Sequence, residues 1–109
     1  MKLLSTLLVA CGLMAASLAH AAVDADAAQA LLKKSDCLKC HAIDKKKDGP
    51  AFKETAKKYK GKADAEDKLI KHITTGPTIE IDGVKEEHKK IKSTDAAEIK
   101  NVVQWMLAL

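Results

Sequence analysis

Two cysteines and a histidine are the residues of this chain whose types and spacing can do chemistry. Cys37 and Cys40 lie three positions apart, and His41 follows directly. This is the attachment sequence of a c-type haem. Each thiol can add across one vinyl group of the porphyrin, because one helical turn separates the two sulfur atoms as the vinyl groups are separated. The next residue then lies beneath the iron, so we expect a haem c on Cys37 and Cys40 with His41 as proximal iron ligand.

Three other kinds of site share part of this pattern. A thioredoxin-like redox pair belongs beside a βαβ unit, which the sequence does not indicate. A zinc site requires two further ligands at paired spacing, whereas His72 and His88 are isolated in the sequence. A structural disulfide between Cys37 and Cys40 leaves His41 without a role. Covalent haem attachment accounts for all three residues of the motif.

The first 21 residues have the pattern of a cleaved signal peptide. A lysine at position 2 precedes an apolar run from Leu3 to Ala19, and the small residues Ala19 and Ala21 predict cleavage after Ala21. We therefore expect a periplasmic protein without a stable membrane span, because the run is short and rich in alanine. Lipid attachment at Cys11 is the disfavoured alternative, since apolar sequence continues for eight residues beyond it.

Cleavage leaves residues 22–109 as one small domain of 88 residues. Small domains usually need a stabilising cross-link or cofactor. Only three aromatic residues remain for the core of this one. We expect the apolar ring of the haem to be the centre of that core. No structural disulfide is available, because both cysteines of the domain are used for attachment.

Charge is distributed unevenly along this domain. Residues 33–62 contain 11 lysines and 4 acidic residues, whereas the remainder contains 7 lysines and 11 acidic residues. Solvated helix faces account for such a run in many proteins. A lysine-rich surface also attracts acidic protein partners. Nucleic acid is not expected as a partner, because the chain contains no arginine.

Hydrophobic periodicity and turn residues predict four helices and one small ribbon or ordered loop. The predicted helices cover residues 26–34, 51–60, 64 or 65 to 74, and 94 or 95 to 107. Alternation from Thr78 to Val84 around the turn signal Asp82-Gly83 indicates the ribbon or loop. The fold class is therefore all-α, with about four helices around one covalently bound haem.

Four segments, residues 37–44, 49–53, 56–59 and 103–107, carry a resemblance to a known family. They are similar to segments of the small single-haem class I cytochromes c of bacterial respiratory chains, and the similarity covers nearly all of residues 22–109. The resemblance implies the class I cytochrome c fold. It implies that the Pro50 carbonyl accepts a hydrogen bond from His41 Nδ1, which fixes the ring and strengthens its donation to iron. It also implies that Trp105 packs where the first and last helices cross.

The family usually supplies the sixth iron ligand from a methionine in the loop before the last helix, and this chain departs from that pattern. No methionine lies between His41 and the last helix. Met106 falls on the apolar stripe of that helix, which is typical of a core residue. His88 lies about where the loop methionine would fall relative to Trp105, so we expect His88 as the sixth ligand. His72, Met106 and an open or water-bound iron are the alternatives.

These features favour a monomeric electron carrier that exchanges one electron with redox partner proteins bearing acidic docking patches. An imidazole is a stronger donor than a thioether, so bis-histidine ligation predicts a midpoint potential well below that of methionine-ligated relatives. A haem-based sensor or gas-binding module with a displaceable sixth ligand is the alternative, which the long charged loop from Pro77 to Lys92 keeps open. An enzyme such as a small peroxidase would need an open iron face and a distal acid–base group, for which His88 is a candidate. It is not expected, because a domain of 88 residues leaves little room for a substrate channel.

Overall fold

The computed structural model describes residues 22–109. Its four α-helices are α1 (Ala25–Lys34), α2 (Phe52–Tyr59), α3 (Ala65–Thr75) and α4 (Ala96–Leu107). A 3₁₀ turn (Cys37–Lys39) follows α1, and two strands, β1 (Thr78–Ile81) and β2 (Val84–Glu87), lie between α3 and α4. The four predicted helices are confirmed. The predicted signal peptide, including Cys11, lies outside the described residues.

Aspartate caps begin the first and last helices. The Asp24 carboxylate accepts a hydrogen bond from the Ala27 N–H at 2.9 Å. The Asp95 carboxylate accepts from the N–H groups of Ala97 and Glu98 at 2.8 and 3.1 Å. Such a cap stabilises a helix by about 1 kcal/mol, because it satisfies a backbone donor that has no partner within the helix. The two helices that frame the domain are therefore defined by their own sequence.

Helix α4 packs against each of the other three helices and provides much of the core. Its buried residues are Ile99, Val102, Val103, Trp105 and Met106. Trp105 meets the Phe52 ring edge to face, with 5.9 Å between the ring centres, a geometry worth about 1 kcal/mol beyond the buried area. The Asn101 side chain joins α4 to α1 by donating to the Asp24 carbonyl and accepting from the Asp24 N–H.

The segment between α3 and α4 forms a β-hairpin, the small ribbon that its alternation indicated. Strands β1 and β2 pair antiparallel, with Ile81 opposite Val84 at the turn end. Asp82 and Gly83 both have positive φ, at 50° and 81°, as a two-residue hairpin turn requires. The hairpin brings the chain back to the end of α3, where the His88 N–H donates to the Pro77 carbonyl at 2.9 Å.

Within residues 22–109, no helix combines the length and the apolar character that crossing a membrane requires.

Candidate functional site

The attachment motif lies on the 3₁₀ turn that follows α1. The N–H groups of Cys40 and His41 both donate to the Cys37 carbonyl, at 3.3 and 3.0 Å, so the chain makes one tight turn between the two sulfur atoms. Both cysteines are free and half-buried. Burial raises the pKa of the Cys37 thiol, and the neighbouring Asp36 carboxylate raises this pKa further. The Cys37 side chain is therefore a neutral thiol at pH 7, the form that precedes a thioether.

His41 is held in one orientation by the backbone of the loop before α2. Its Nδ1 lies 2.7 Å from the Pro50 carbonyl oxygen. A carbonyl can only accept, so Nδ1 carries the proton and Nε2 is the nitrogen with a free lone pair. Gly49 lies against the same ring, since a Cβ at Gly49 would come within 2.8 Å of both ring nitrogens. The loop thus presents Nε2 of His41 as the atom available to a metal.

His88 follows the hairpin directly and faces His41. The centres of the two rings are 6.2 Å apart, and their planes are inclined by 54°. His88 is half-buried, and its Nδ1 is buried without a hydrogen-bond partner in the part of the chain that the structure describes. Burial lowers the pKa of His88, and the neighbouring His72 and His41 lower it further. The ring is therefore neutral at pH 7, which is the form that binds metals.

His72 and Met106, the other ligand candidates, lie in different surroundings. The His72 ring projects from α3 and lies 4.3 Å from the His88 ring, centre to centre. Burial lowers the pKa of His72 as well. Met106 is 6% exposed and belongs to the cluster of side chains that packs between the helices. The structure therefore brings His41, His72 and His88 together at one place, whereas Met106 lies in the core.

These residues fit a covalently bound haem c. Two thiols lie one turn apart, and the adjacent imidazole has a free Nε2. Two imidazoles that bind one metal from opposite sides, through bonds of about 2 Å, have ring centres about 6 Å apart. The 6.2 Å between the His41 and His88 ring centres agrees with that separation. Across residues 22–109, no group of three or more His, Cys, Asp or Glu side chains is arranged as a metal site.

The backbone that carries His88 is anchored by contacts that the sequence did not indicate. The Ile91 N–H donates to the Ile73 carbonyl at 2.8 Å, next to the end of α3. The Lys92 N–H donates to the Ser35 hydroxyl oxygen at 2.8 Å. Lys92 Nζ also lies 3.2 Å from the Asp36 carboxylate. The partners in the last two contacts are separated by more than fifty positions, so the sequence offers no local signal for them.

The surface beside the attachment turn carries exposed lysines and one exposed apolar residue. Leu38, between the two cysteines, is 37% exposed. Lys47 Nζ donates to the Leu38 carbonyl at 2.8 Å, and Lys39 pairs with Asp36 at 3.3 Å. The 11 lysines of residues 33–62 are all exposed. Positive charge and an apolar contact residue thus lie together beside the two cysteines.

Comparison with known proteins gives a consistent result. The model of the family described as Cytochrome c matches residues 25–109. The chain is 38% identical over 79 residues to cytochrome c-552 of Hydrogenobacter thermophilus, across 72% of this chain and 78% of that protein. It is 35% identical over 79 residues to cytochrome c-551 of Allochromatium vinosum, across 72% of this chain and 82% of that protein.

Two solved structures have a similar fold. The crystal structure of class 1 cytochrome MtoD from Sideroxydans lithotrophicus ES-1 is 52% identical and has a TM-score of 0.77, covering 80% of this chain and 97% of that one. Wild-type cytochrome c552 of Nitrosomonas europaea is 30% identical and has a TM-score of 0.59, covering 74% of this chain and 98% of that one.

Proposed function

The chain belongs to the cytochrome c family, whose members carry one covalently bound haem c and transfer electrons, and on that premise we propose a one-electron carrier with bis-histidine ligation. In this proposal Cys37 and Cys40 hold the haem, His41 is the proximal ligand and His88 is the sixth ligand. The homologous cytochromes are electron-transfer proteins rather than enzymes. When bound, the haem supplies the one-electron couple of its iron.

The observation that carries this proposal is the facing pair of imidazoles. The ring centres of His41 and His88 lie 6.2 Å apart, and the pKa of His88 is lowered by burial. A neutral ring at this separation needs little rearrangement to bind the same iron as His41. Met106 would have to leave the core to compete, which costs about 2 kcal/mol or more of burial free energy for a side chain of that size.

The chain's own residues then set the electronic properties of the site. The hydrogen bond from His41 Nδ1 to the Pro50 carbonyl increases the donor strength of Nε2. A second imidazole, from His88, stabilises the oxidised iron more than a thioether does. Together these contacts favour a midpoint potential below that of methionine-ligated relatives. Redox titration of the purified protein measures this directly, and a high potential of the methionine type would contradict the assignment.

Spectroscopy of variants tests the ligand itself. We expect the visible and EPR spectra of the oxidised protein to be those of low-spin bis-histidine iron. His88→Ala should convert them to a high-spin or water-ligated form, whereas Met106→Leu should leave them unchanged. His72→Ala is the matched control, because it removes the neighbouring ring and leaves His88 in place. An unchanged spectrum in His88→Ala, or a thioether-to-iron charge-transfer band in the native protein, would remove His88 from the site.

Carbon monoxide separates an electron carrier from a sensor. A sixth ligand held by the protein should make binding of carbon monoxide to the reduced protein slow or incomplete. Rapid and complete binding by the native protein would instead indicate a displaceable ligand and favour the gas-binding alternative. The backbone hydrogen bonds at His88, Ile91 and Lys92 hold this segment in place, which favours the carrier.

We further propose that partners dock on the basic surface around Leu38, Lys39 and Lys47. An exposed apolar residue beside two lysines suits a partner with an acidic patch, and positive charge accelerates such an encounter. Oxidation of the reduced protein by ferricyanide, a small anionic oxidant, provides a probe. Lys47→Glu should slow this reaction and weaken its dependence on ionic strength. Lys100→Glu, on α4, is the matched control, and equal slowing by both variants would argue against a localised docking surface.

The proposal places the mature domain, residues 22–109, in the periplasm as a monomer. It is supported by the signal-peptide pattern of residues 1–21. The mass of protein purified from the periplasm should correspond to Ala22–Leu109 plus one haem. A lipid-modified N-terminus at Cys11, or a dimer in sedimentation measurements, would contradict these parts of the proposal.

A further inference from the structure

Ser35 is the one polar residue among positions 22–109 that is fully buried, with 1% of its surface exposed. It lies at the end of α1, two positions before Cys37. Its hydroxyl oxygen accepts a hydrogen bond from the Lys92 N–H at 2.8 Å. A buried hydroxyl is retained only where it satisfies a partner, and here the partner belongs to the segment that carries His88.

That segment, residues 88–92, has no regular secondary structure and is fixed by backbone hydrogen bonds to three places. The His88 N–H donates to the Pro77 carbonyl at 2.9 Å, and the Ile91 N–H donates to the Ile73 carbonyl at 2.8 Å. Both of these partners lie on or just after α3. The bond to Ser35 joins the segment to the other side of the site, namely the turn that carries the cysteines.

The Lys92 side chain adds a second contact to the same turn, but a weaker one. Its Nζ lies 3.2 Å from the Asp36 carboxylate, with both groups partly exposed. Ion pairs of this kind contribute little in water. A buried hydrogen bond to a backbone N–H is more costly to lose, because the donor is left unpaired away from solvent. Ser35 is therefore the residue on which the junction between the two sides depends.

We propose that Ser35 is a positioning residue for the sixth iron ligand. By accepting a hydrogen bond from the Lys92 N–H, its hydroxyl fixes the segment that holds the His88 ring opposite the His41 ring. This inference rests on the proposed bis-histidine ligation. Ser35 touches neither histidine and acts through the backbone of Lys92. Its loss should let residues 88–92 open more often, without removing either ligand.

The test is the rate at which carbon monoxide binds to the reduced, haem-loaded protein. Carbon monoxide binds only after His88 has left the iron, so the rate reports opening of the segment. Ser35→Ala should increase this rate about tenfold, as expected for the loss of one buried hydrogen bond. Ser35→Thr retains the hydroxyl and should restore a rate close to that of the native protein.

Asn101→Ala is the matched control, because it removes the hydrogen bonds between α4 and α1 away from the ligand segment. It should destabilise the fold without a comparable increase in the rate of carbon monoxide binding. Equal rates in Ser35→Ala and Asn101→Ala would overturn the positioning role. The spectrum of His88→Ala is independent of these rates. If that spectrum changes while the Ser35→Ala rate does not, only the role of Ser35 fails; if it does not change, the bis-histidine proposal fails.

Amide hydrogen exchange in the native protein provides a measurement that needs no variant. The Lys92 amide should exchange more slowly than the amide of the exposed Lys89 in the same segment, by about tenfold or more, because its hydrogen bond must first open. The Ile91 amide should exchange with a similar protection. Exchange of the Lys92 amide as fast as that of Lys89 would overturn the proposal, whatever the variants show.

Discussion

The two sides of the candidate haem site are built in different ways. On the His41 side the contacts that fix the ring come from one short stretch of chain, which runs from the Cys37 carbonyl through the Pro50 carbonyl to the Phe52 ring stacked 5.2 Å from His41, centre to centre. On the His88 side the anchoring partners are Pro77, Ile73 and Ser35, and the bond to Ser35 spans 57 positions. The position of His41 is therefore specified by local sequence, and that of His88, the proposed second ligand, by tertiary structure.

This difference has an energetic consequence. A local turn closes a short loop and needs few other parts of the fold to be in place. The segment that carries His88 holds its position only when α1, α3 and the hairpin are all correctly packed. Local opening that releases His88 should therefore cost less free energy, and occur more often, than opening that releases His41. A substitution on one side should therefore leave the other side in place.

Removing the covalent link should have the largest effect. In the double variant Cys37→Ala, Cys40→Ala we expect no attached haem and no stable domain, because the domain has only three aromatic residues and the haem is expected to complete its core. Mass spectrometry and far-UV circular dichroism of the purified protein measure both effects. Cys11→Ala is the matched control, and it should retain full haem content. Cooperative unfolding of the double variant would show that the helices fold without the haem.

Changing His88, the proposed second ligand, should have the next largest effect. The change should appear in the midpoint potential of the haem and leave the fold intact. His88→Met supplies the thioether that the family usually has, so the midpoint potential should rise by on the order of 100 mV. Redox titration measures the shift, and His72→Leu serves as the control because it changes the ring beside His88. A potential that rises equally in both variants would mean that polarity around the site, rather than ligation, is responsible.

The sequence allowed the local features of this site to be predicted and missed the distant ones. The helices followed from apolar periodicity and turn residues, and the hairpin from its alternation around the Asp82-Gly83 turn. His88 was predicted as a ligand only because its distance from Trp105 resembles that of the loop methionine in class I cytochromes c, and its proximity to His72 was not predicted. The bond between Ser35 and Lys92 was missed altogether, because an ordinary serine at the end of a helix carries no signal for a partner 57 positions away.

Substitution of two glycines, one on each side of the site, should lower the free energy of unfolding for different reasons. A Cβ at Gly49 would lie 2.8 Å from both nitrogens of the His41 ring, so Gly49→Ala should displace the ring from the Pro50 carbonyl and destabilise the protein by about 1–3 kcal/mol. Gly83, at the hairpin turn, has φ +81° and open space around it. Gly83→Ala therefore adds only backbone strain, of about 1 kcal/mol.

Denaturant unfolding of the haem-loaded variants measures both stabilities, and the visible spectrum separates their causes. Gly49→Ala should change the spectrum because it moves a ligand, whereas Gly83→Ala should not. An unchanged spectrum with an equal loss of stability in both variants would mean that the close approach of Gly49 to His41 has no bearing on ligation.

The smallest expected effect concerns Asp36, which connects the two sides through Lys92. Hydrogen bonds from Lys92 and then from Lys39 lower the pKa of Asp36 below its ordinary value of 3.8. Because the pKa is lower in the folded protein, the charged carboxylate stabilises the fold above pH 3.8, and this contribution is lost as the pH falls through the folded pKa. Asp36→Asn should therefore be less stable than the native protein at pH 7. The two should be equally stable at a pH below the pKa of Asp36 in the folded protein.

Asparagine is the appropriate replacement because Asp36 has φ +61°, a conformation that asparagine tolerates well. The difference in unfolding free energy between native protein and variant isolates this carboxylate from the others that titrate in the same range. Since Asp36 and both lysines are exposed to solvent, the difference at pH 7 should be small and should shrink further in high salt. If the difference in unfolding free energy is the same at pH 7 and pH 3, the shape of the Asp36 side chain rather than its charge is responsible. The junction between the two sides would then depend on the Ser35 hydroxyl and not on the ion pair between Asp36 and Lys92.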